Sequence, residues 1–192
     1  MNASEESIEL IKRWEAFRAT AYDDGLGNLT IGYGFTDLMP GFRSEWLDQR
    51  MSKSEADAIL RDVLEEHYAS ILREYLNDSS VALSDHAFGA LCSLAWNVDP
   101  HLILKSELMG HIVDGHFREA ADAFLDWIYV HVDGEPEIWK GLVKRRVAER
   151  DLFLLRPHDS RTVRAEPVPT CEPIPPNTKS FNALKDYVPP TL

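Results

Sequence analysis

The sequence predicts an α+β domain in which a small β-hairpin element near the N-terminus faces a larger helical body across a cleft. Two observations lead to this prediction. Apolar residues recur at helical spacing along most of residues 1–156. One early segment, TAYDDGLGNLTIGYGFT, lacks that period and carries a turn signal, GLGN, between two alternating runs, which is typical of a hairpin.

The first helix is expected over residues 4–17, because four apolar residues there form a single stripe. They are Leu10, Ile11, Trp14 and Phe17. Further helices are expected over roughly residues 101–113, 117–127 and 140–155. The helical body therefore makes up most of the domain.

Capping signals mark two further helices. Ser52 and Glu55 have the spacing of a capping box before a long periodic stretch. Ser84 precedes a strongly apolar helix, AFGALCSLAWN, which must end before Asp99-Pro100 because proline disfavours helix at the preceding residue. Both helices should belong to the core of the domain.

Proline content divides the chain at about residue 157. Eight of the 11 prolines lie at or after Pro157, and the acids and bases of that segment balance. We therefore predict a folded domain over residues 1–156 and a mostly irregular, Pro-rich tail over residues 157–192. A tail that docks on the domain or on a partner through Phe181, Leu184 and Tyr187 is the alternative.

Composition excludes several classes of function. The net charge of −12 argues against a nucleic-acid partner, which needs a basic face. No stretch has the length of a transmembrane segment. The N-terminus MNASEESIEL has neither a basic lead nor an apolar run, so we expect no secretory signal and a place in the cytoplasm of the producing cell. Cys92 and Cys171 show no metal-ligand spacing, and neither a metal nor a disulfide is expected.

Glu15 is the first candidate for chemistry. On a helical wheel it lies near Ile8 and Ile11, at the edge of the apolar stripe. A carboxyl there is partly desolvated, which favours its protonated form. A protonated carboxyl is what a glycosidase needs as general acid, although a glutamate at such an edge is more often an ordinary boundary residue.

The hairpin supplies two more candidates. If its turn centres on Gly27, Asp24 and Thr30 lie opposite each other on one face. A carboxylate and a hydroxyl side by side would hold and activate a water molecule, although such residues are also common in turns and strands. Asp23 would project from the other face. The residues expected to point into the domain are Leu29, Ile31 and Tyr33.

The three candidates together form a specific pattern. Glu15, Asp24 and Thr30, followed by IGYG, resemble the acid–Asp–Thr triad of the phage-type lysozymes, glycoside hydrolase family 24. The surrounding sequence also resembles this family, in the segments ELIKRWEAFRATAYDDGLGNLTIGYG, SKSEADAILRDVL, SDHAFGALCSLAWNV and GLVKRRVAERDLFL. The resemblance spans about residues 5–155 and does not include the tail.

The resemblance implies a lysozyme-like fold and a muramidase that needs neither metal nor cofactor. Its substrate would be bacterial peptidoglycan, hydrolysed at the β-1,4 bond between N-acetylmuramic acid and N-acetylglucosamine. Glu15 would act as general acid, with Asp24 and Thr30 positioning the attacking water. An endolysin that reaches the wall through a separate pore fits this resemblance, and so does a delivered antibacterial effector.

Arg146 is a further candidate, because the last predicted helix places it in an apolar stripe made by Leu142, Val143, Val147, Phe153 and Leu154. A buried charge needs a partner. Glu149 would supply one locally. The lysozyme resemblance implies a basic residue near the acid, so Arg146 would reach Glu15, with Arg145 as the other candidate.

Two residues depart from the family pattern: Ala16 stands where Gly is usual and Phe35 where His is usual. Two rival functions also remain at this stage. A lytic transglycosylase would cleave the same bond without the water-holding pair. A non-catalytic lysozyme-fold module that binds the wall or a particle would suit the acidic charge and the tail.

Overall fold

The computed structural model describes residues 1–24, 27–132 and 135–155. The tail over residues 157–192, with Cys171 and the three residues suggested for docking, lies outside the described residues. The domain boundary at residue 156 therefore stays a prediction.

Helices dominate the described part of the chain. They are α1 Glu5–Glu15, α2 Lys53–Leu64, α3 Ser70–Asp78, α4 Asp85–Asn97, α5 Pro100–Leu104, α6 Glu107–Val113, α7 Phe117–Ala123 and α8 Lys140–Phe153. A π-helical turn, Glu65–Ala69, joins α2 to α3, and short 3-10 helices cover Ser44–Asp48 and Phe124–Asp126.

Two small antiparallel sheets complete the fold. Strands β1 Arg18–Asp23, β2 Leu29–Gly32 and β3 Phe35–Thr36 form one sheet in that order. Strands β4 Tyr129–Val132 and β5 Glu135–Ile138 form the other. The predicted α+β class and the early hairpin are confirmed, whereas the second hairpin has no counterpart in the sequence-based prediction.

Helix starts follow the capping signals. Ser52 and Glu55 form the predicted capping box at α2. Ser84 accepts a hydrogen bond from the Ala87 amide at the start of α4. The helix predicted over residues 101–113 is wrong as a single element. The backbone is extended at Ser106, whose hydroxyl caps a separate helix, α6.

Helix α1 ends two residues earlier than predicted. Ser4 caps its start, but the last helical residue is Glu15, and Ala16 has a φ of +51°. A residue with a side chain avoids this left-handed region because its Cβ clashes with the backbone. The reversal turns the chain from α1 into β1 immediately after Glu15, so Phe17 is not helical.

Helix α4 is the centre of the core. Residues 87–96 are all buried. At Gly89 an added Cβ would lie 2.6 Å from the Ser7 hydroxyl oxygen, so α1 can approach α4 only because this residue has no side chain. This close approach fixes α1, and with it Glu15, against the helical body.

A charge network joins α1 to α2. Lys12 Nζ lies 2.5 Å from Asp57 Oδ1, and Arg61 bonds both Glu5 and Asp57. Hydrogen bonding to Lys12, with a further contribution from Arg61, holds the pKa of Asp57 below its ordinary value. The ionised Asp57 therefore stabilises the folded state.

We predict that Ala16→Gly stabilises the protein by about 1 kcal/mol, because glycine adopts the left-handed conformation without strain. Urea unfolding of the full chain measures the change. Ala58→Gly is the matched control, since Ala58 is an exposed residue within α2 and should lose about 1 kcal/mol. A loss of stability in both variants would contradict the strained geometry.

We predict that Asp57→Asn lowers the free energy of unfolding by about 1 kcal/mol at neutral pH. A carboxyl with a depressed pKa stabilises the fold above its ordinary range, and this contribution is lost as the pH falls below about 4. Wild type and variant should therefore converge on acidification. Asp62→Asn, which removes a nearby exposed acid with no ion pair among the described residues, should leave the pH dependence unchanged.

Candidate active site

A cleft separates the first sheet from the helical body, as predicted. Within it is a cavity of about 90 Å³. Its lining residues are Glu15, Asp24, Asn28, Gly34, Thr36, Leu38, Met39, Tyr68 and Trp96. Two of the three predicted triad residues, Glu15 and Asp24, therefore line one cavity from different elements.

Glu15 is the last residue of α1, and 20% of its side chain is exposed. Arg145 Nη1 donates a hydrogen bond to Glu15 Oε1 at 2.8 Å. The other oxygen, Oε2, lies beside Gly34, where an added Cβ would approach it to 3.2 Å. One carboxylate oxygen is thus held by the helical body, and the other lies against a hairpin residue without a side chain.

The prediction that Arg146 reaches Glu15 is wrong, because Arg145, the alternative candidate, makes that contact. The apolar stripe assigned to the last helix is also rotated from the observed one. Val147 and Leu154 are exposed. The buried residues of α8 are Leu142, Arg145, Arg146, Glu149, Leu152 and Phe153. Both arginines lie on the buried face, whereas apolar periodicity placed only Arg146 there.

Arg146 pairs instead with Glu149, the local partner that the sequence predicted as the alternative. Its Nη1 lies 3.1 Å from Glu149 Oε2, and its Nη2 donates to Asn97 Oδ1 at 2.7 Å. Burial lowers the pKa of Arg146 to about 10, because the attraction of Glu149 offsets only part of the desolvation and Arg145 adds repulsion. For Arg145, burial also opposes the charged form, but the carboxylates of Glu15 and Glu149 outweigh it and raise the pKa.

Asp24 lies at the hairpin turn, held by Asn28. The Asn28 amide donates to Asp24 Oδ1 at 3.1 Å, and Asn28 Nδ2 donates to Oδ2 at 2.9 Å. Backbone pairing of Asp24 with Asn28 closes the turn. Asn28 is not among the candidates predicted from the sequence, although an asparagine four residues after an aspartate at a turn is a usable signal.

The register of this hairpin corrects one prediction. Thr30 pairs with Tyr22, so it is not directly opposite Asp24, because the turn centres one residue before Gly27. Asp24 and Thr30 still share a face, as diagonal neighbours two positions apart on facing strands. Leu29, predicted to point inward, is 51% exposed, whereas Ile31 and Tyr33 are buried as predicted.

Thr30 is more deeply buried than the other two triad residues. Only 3% of it is exposed. Its hydroxyl oxygen is buried and has no hydrogen-bond partner among the residues that the structure describes. An unpaired buried hydroxyl costs about 1–3 kcal/mol, and Thr30 is not among the residues that line the cavity.

Two aromatic residues of the cleft lay outside the sequence-based prediction. The π-helical turn carries Tyr68, whose ring lies 5.4 Å from that of Trp96. Burial raises the pKa of Tyr68 to about 12, with contributions from the carboxylates of Asp99 and Glu15. Tyr68 therefore keeps its proton and can donate a hydrogen bond. Periodicity cannot reveal such a turn, because it assumes uninterrupted α-helix.

Phe35, the departure from the family pattern beside the hairpin, is a core residue here. It is fully buried, and its ring packs against those of Tyr33, Trp46 and Trp96. Over residues 1–24, 27–132 and 135–155, no group of three or more metal-binding side chains is found. In the same ranges, no helix is both long and apolar enough to cross a membrane.

Known proteins similar to this chain identify its family. The phage lysozyme family model matches residues 12–149. The chain belongs to the phage lysozyme family. It is 31% identical to an endolysin of Acyrthosiphon pisum secondary endosymbiont phage 1, over 80% of this chain and 98% of that one. It is 32% identical to the endolysin of Salmonella phage P22, over 80% of this chain and 99% of that one.

Solved structures agree with the lysozyme-like fold. The muramidase domain of SpmX from Asticaccaulis excentricus superposes with a TM-score of 0.66 and 28% sequence identity, covering 81% of this chain and 99% of that one. Membership of the phage lysozyme family supports a lysozyme-type glycoside hydrolase that acts on peptidoglycan.

We predict that Gly34→Ala lowers peptidoglycan hydrolysis about tenfold or more, because the new methyl group displaces the Glu15 carboxylate. Turbidity loss of cell-wall suspensions measures the rate. Gly115→Ala is the matched control, since Gly115 also has a positive φ, +76°, but no atom within 4 Å of an added Cβ. Equal activity losses in the two variants would show that backbone strain alone is responsible.

Proposed function

We propose that this phage lysozyme family member hydrolyses the β-1,4 bond between N-acetylmuramic acid and N-acetylglucosamine. Glu15 is the general acid, and Asp24 and Thr30 hold and activate the attacking water. The observation that carries the proposal is that the carboxylates of Glu15 and Asp24 line one cavity from opposite elements, the end of α1 and the hairpin turn. Paired carboxylates across a cleft are the arrangement that glycoside hydrolysis requires.

The two oxygens of Glu15 have separate tasks in this proposal. Arg145 holds Oε1 and orients the carboxyl group. Oε2, beside Gly34, carries the proton that passes to the glycosidic oxygen as the bond to the sugar breaks. The absence of a side chain at Gly34 leaves room for the sugar chain at this oxygen.

Asp24 accepts the proton of the water that attacks the sugar. The hydrogen bonds from Asn28 orient both of its oxygens. The unpaired hydroxyl of Thr30, on the same face of the hairpin, is available to hold that water in line. Attack from the face opposite Glu15 inverts the anomeric centre and needs a carboxyl separation of roughly 6.5–9.5 Å.

We further propose that the protein acts as an endolysin. It would wait in the cytoplasm of the host cell and reach the wall through a separate pore or delivery system. Support for this setting comes from its relatives, which are endolysins of several phages. A delivered antibacterial effector would use the same chemistry at the same bond.

We predict that Glu15→Gln lowers hydrolysis about 10²–10⁴-fold, because the amide cannot supply the proton. Wild type and variant are incubated with purified peptidoglycan, and the released muropeptides are identified by mass spectrometry. Glu9→Gln is the matched control, since Glu9 is an exposed acid of the same helix that pairs with Lys12. It should keep wild-type activity.

The products test the role of the water. Wild type should release fragments with reducing N-acetylmuramic acid ends, and Asp24→Asn and Thr30→Val should each slow their release. Anhydro ends would indicate a lytic transglycosylase and would contradict the roles of Asp24 and Thr30. Folded wild type that releases nothing from several wall types would favour a non-catalytic module.

A further inference from the structure

We propose that Glu149 is a positioning residue for the reaction. With Ser93, it clamps Arg145 against Glu15 and so sets the orientation of the Glu15 carboxyl group and the charge around it. This inference rests on the proposed role of Glu15 as general acid. Glu149 itself lies behind Arg145, is fully buried and is not among the residues that line the cleft cavity.

The guanidinium group of Arg145 is held at all three of its nitrogens. Nη1 donates to Glu15 Oε1 at 2.8 Å, Nε to Glu149 Oε1 at 3.1 Å and Nη2 to the Ser93 carbonyl at 3.2 Å. A planar group fixed at three points cannot rotate without losing a buried hydrogen bond. Arg145 therefore presents one N–H group to Glu15 in a defined direction.

Glu149 is the residue on which this clamp depends. Its Oε1 accepts from both Arg145 and the Ser93 hydroxyl, the latter at 2.7 Å. Its Oε2 lies 3.1 Å from Arg146 Nη1. The spacings on α8 are four and three residues, so one carboxylate lies between two arginines on the buried face. Arg146 is fixed in turn by Asn97 of α4.

The clamp is also balanced in charge. Two arginines and two carboxylates form one cluster, and Glu15 is the member that lines the cleft. Loss of the Glu149 charge would leave two guanidinium groups against one carboxylate. In a buried setting the excess positive charge favours the ionised form of Glu15, which cannot protonate a leaving group.

Other groups that face Glu15 are the same in wild type and in a Glu149 variant. The hairpin contributes Asp24 to the cavity and, nearby, Tyr22. The π-helical turn contributes Tyr68. Burial raises the pKa of both tyrosines, so they stay neutral over the working range. A change in the pH profile is therefore attributable to the clamp.

The test is the pH–activity profile of Glu149→Gln, measured with the full chain on purified peptidoglycan. The amide keeps the shape but removes the charge, so the alkaline limb should move to lower pH by about one unit. The fall in rate should be small on the acidic side. Asp122→Asn is the matched control, because it removes a surface acid that pairs with Arg150 of α8, the helix that carries Glu149. The alkaline limb of the pH–activity profile of this variant should be the same as in wild type.

Two further variants separate position from charge. Ser93→Ala removes one hydrogen bond from Glu149 without changing charge, so kcat should fall while the alkaline limb stays. Glu149→Asp keeps the charge but shortens the reach to Arg145, and the same result is expected. Glu149→Asp also tests the proposal if Glu149→Gln fails to fold.

The outcomes distinguish the inference from the proposed function. If wild type is active and the alkaline limb of the pH–activity profile is unshifted in Glu149→Gln, the proposed role of Glu149 is wrong and the muramidase proposal stays intact. A Glu149→Asp variant with the kcat and the alkaline limb of wild type would equally contradict the proposed role of Glu149. Wild type that releases no reducing fragments, or Glu15→Gln that keeps full activity, would overturn the proposed function itself.

Discussion

The hydrogen bond that Arg145 donates to Glu15 is the interaction on which the site depends. It joins α8, the last helix of the described residues, to the last residue of α1. The same arginine bonds the Ser93 carbonyl of α4, the central buried helix. The proposed general acid is thus oriented by the core and not by the hairpin alone. A site built on packed helices holds its geometry better than one built on loops.

Small residues decide how much room the acid has. The strained backbone at Ala16 ends α1 immediately after Glu15 and directs the chain into the hairpin. Gly34, in the turn between β2 and β3, lies where an added Cβ would come within 3.2 Å of Glu15 Oε2. Strain and close approach both concentrate where the proposed proton transfer occurs, as is common at functional sites. Stability and activity should therefore respond differently to changes at these two positions.

The opposite wall of the cleft comes from an irregularity in a long helical stretch. The π-helical turn between α2 and α3 carries Tyr68, whose ring packs near that of Trp96 and lines the cavity beside Glu15. Such turns cost stability and are frequent at functional sites. The net charge of −12, by contrast, concerns encounter with the wall more than the chemistry.

Local signals in the sequence determined much of this protein. Capping residues, proline and the loss of helical period sufficed for the first helices and the early hairpin, because each signal acts within a few residues. The candidates Glu15 and Asp24 came from their spacing, which resembles that of the phage-type lysozymes. Tertiary structure alone decided the hairpin register, the π-helical turn, the second hairpin and the choice of Arg145 over Arg146. Those features depend on contacts between distant segments: a buried arginine needs a partner, and only packing shows which carboxylate lies within reach.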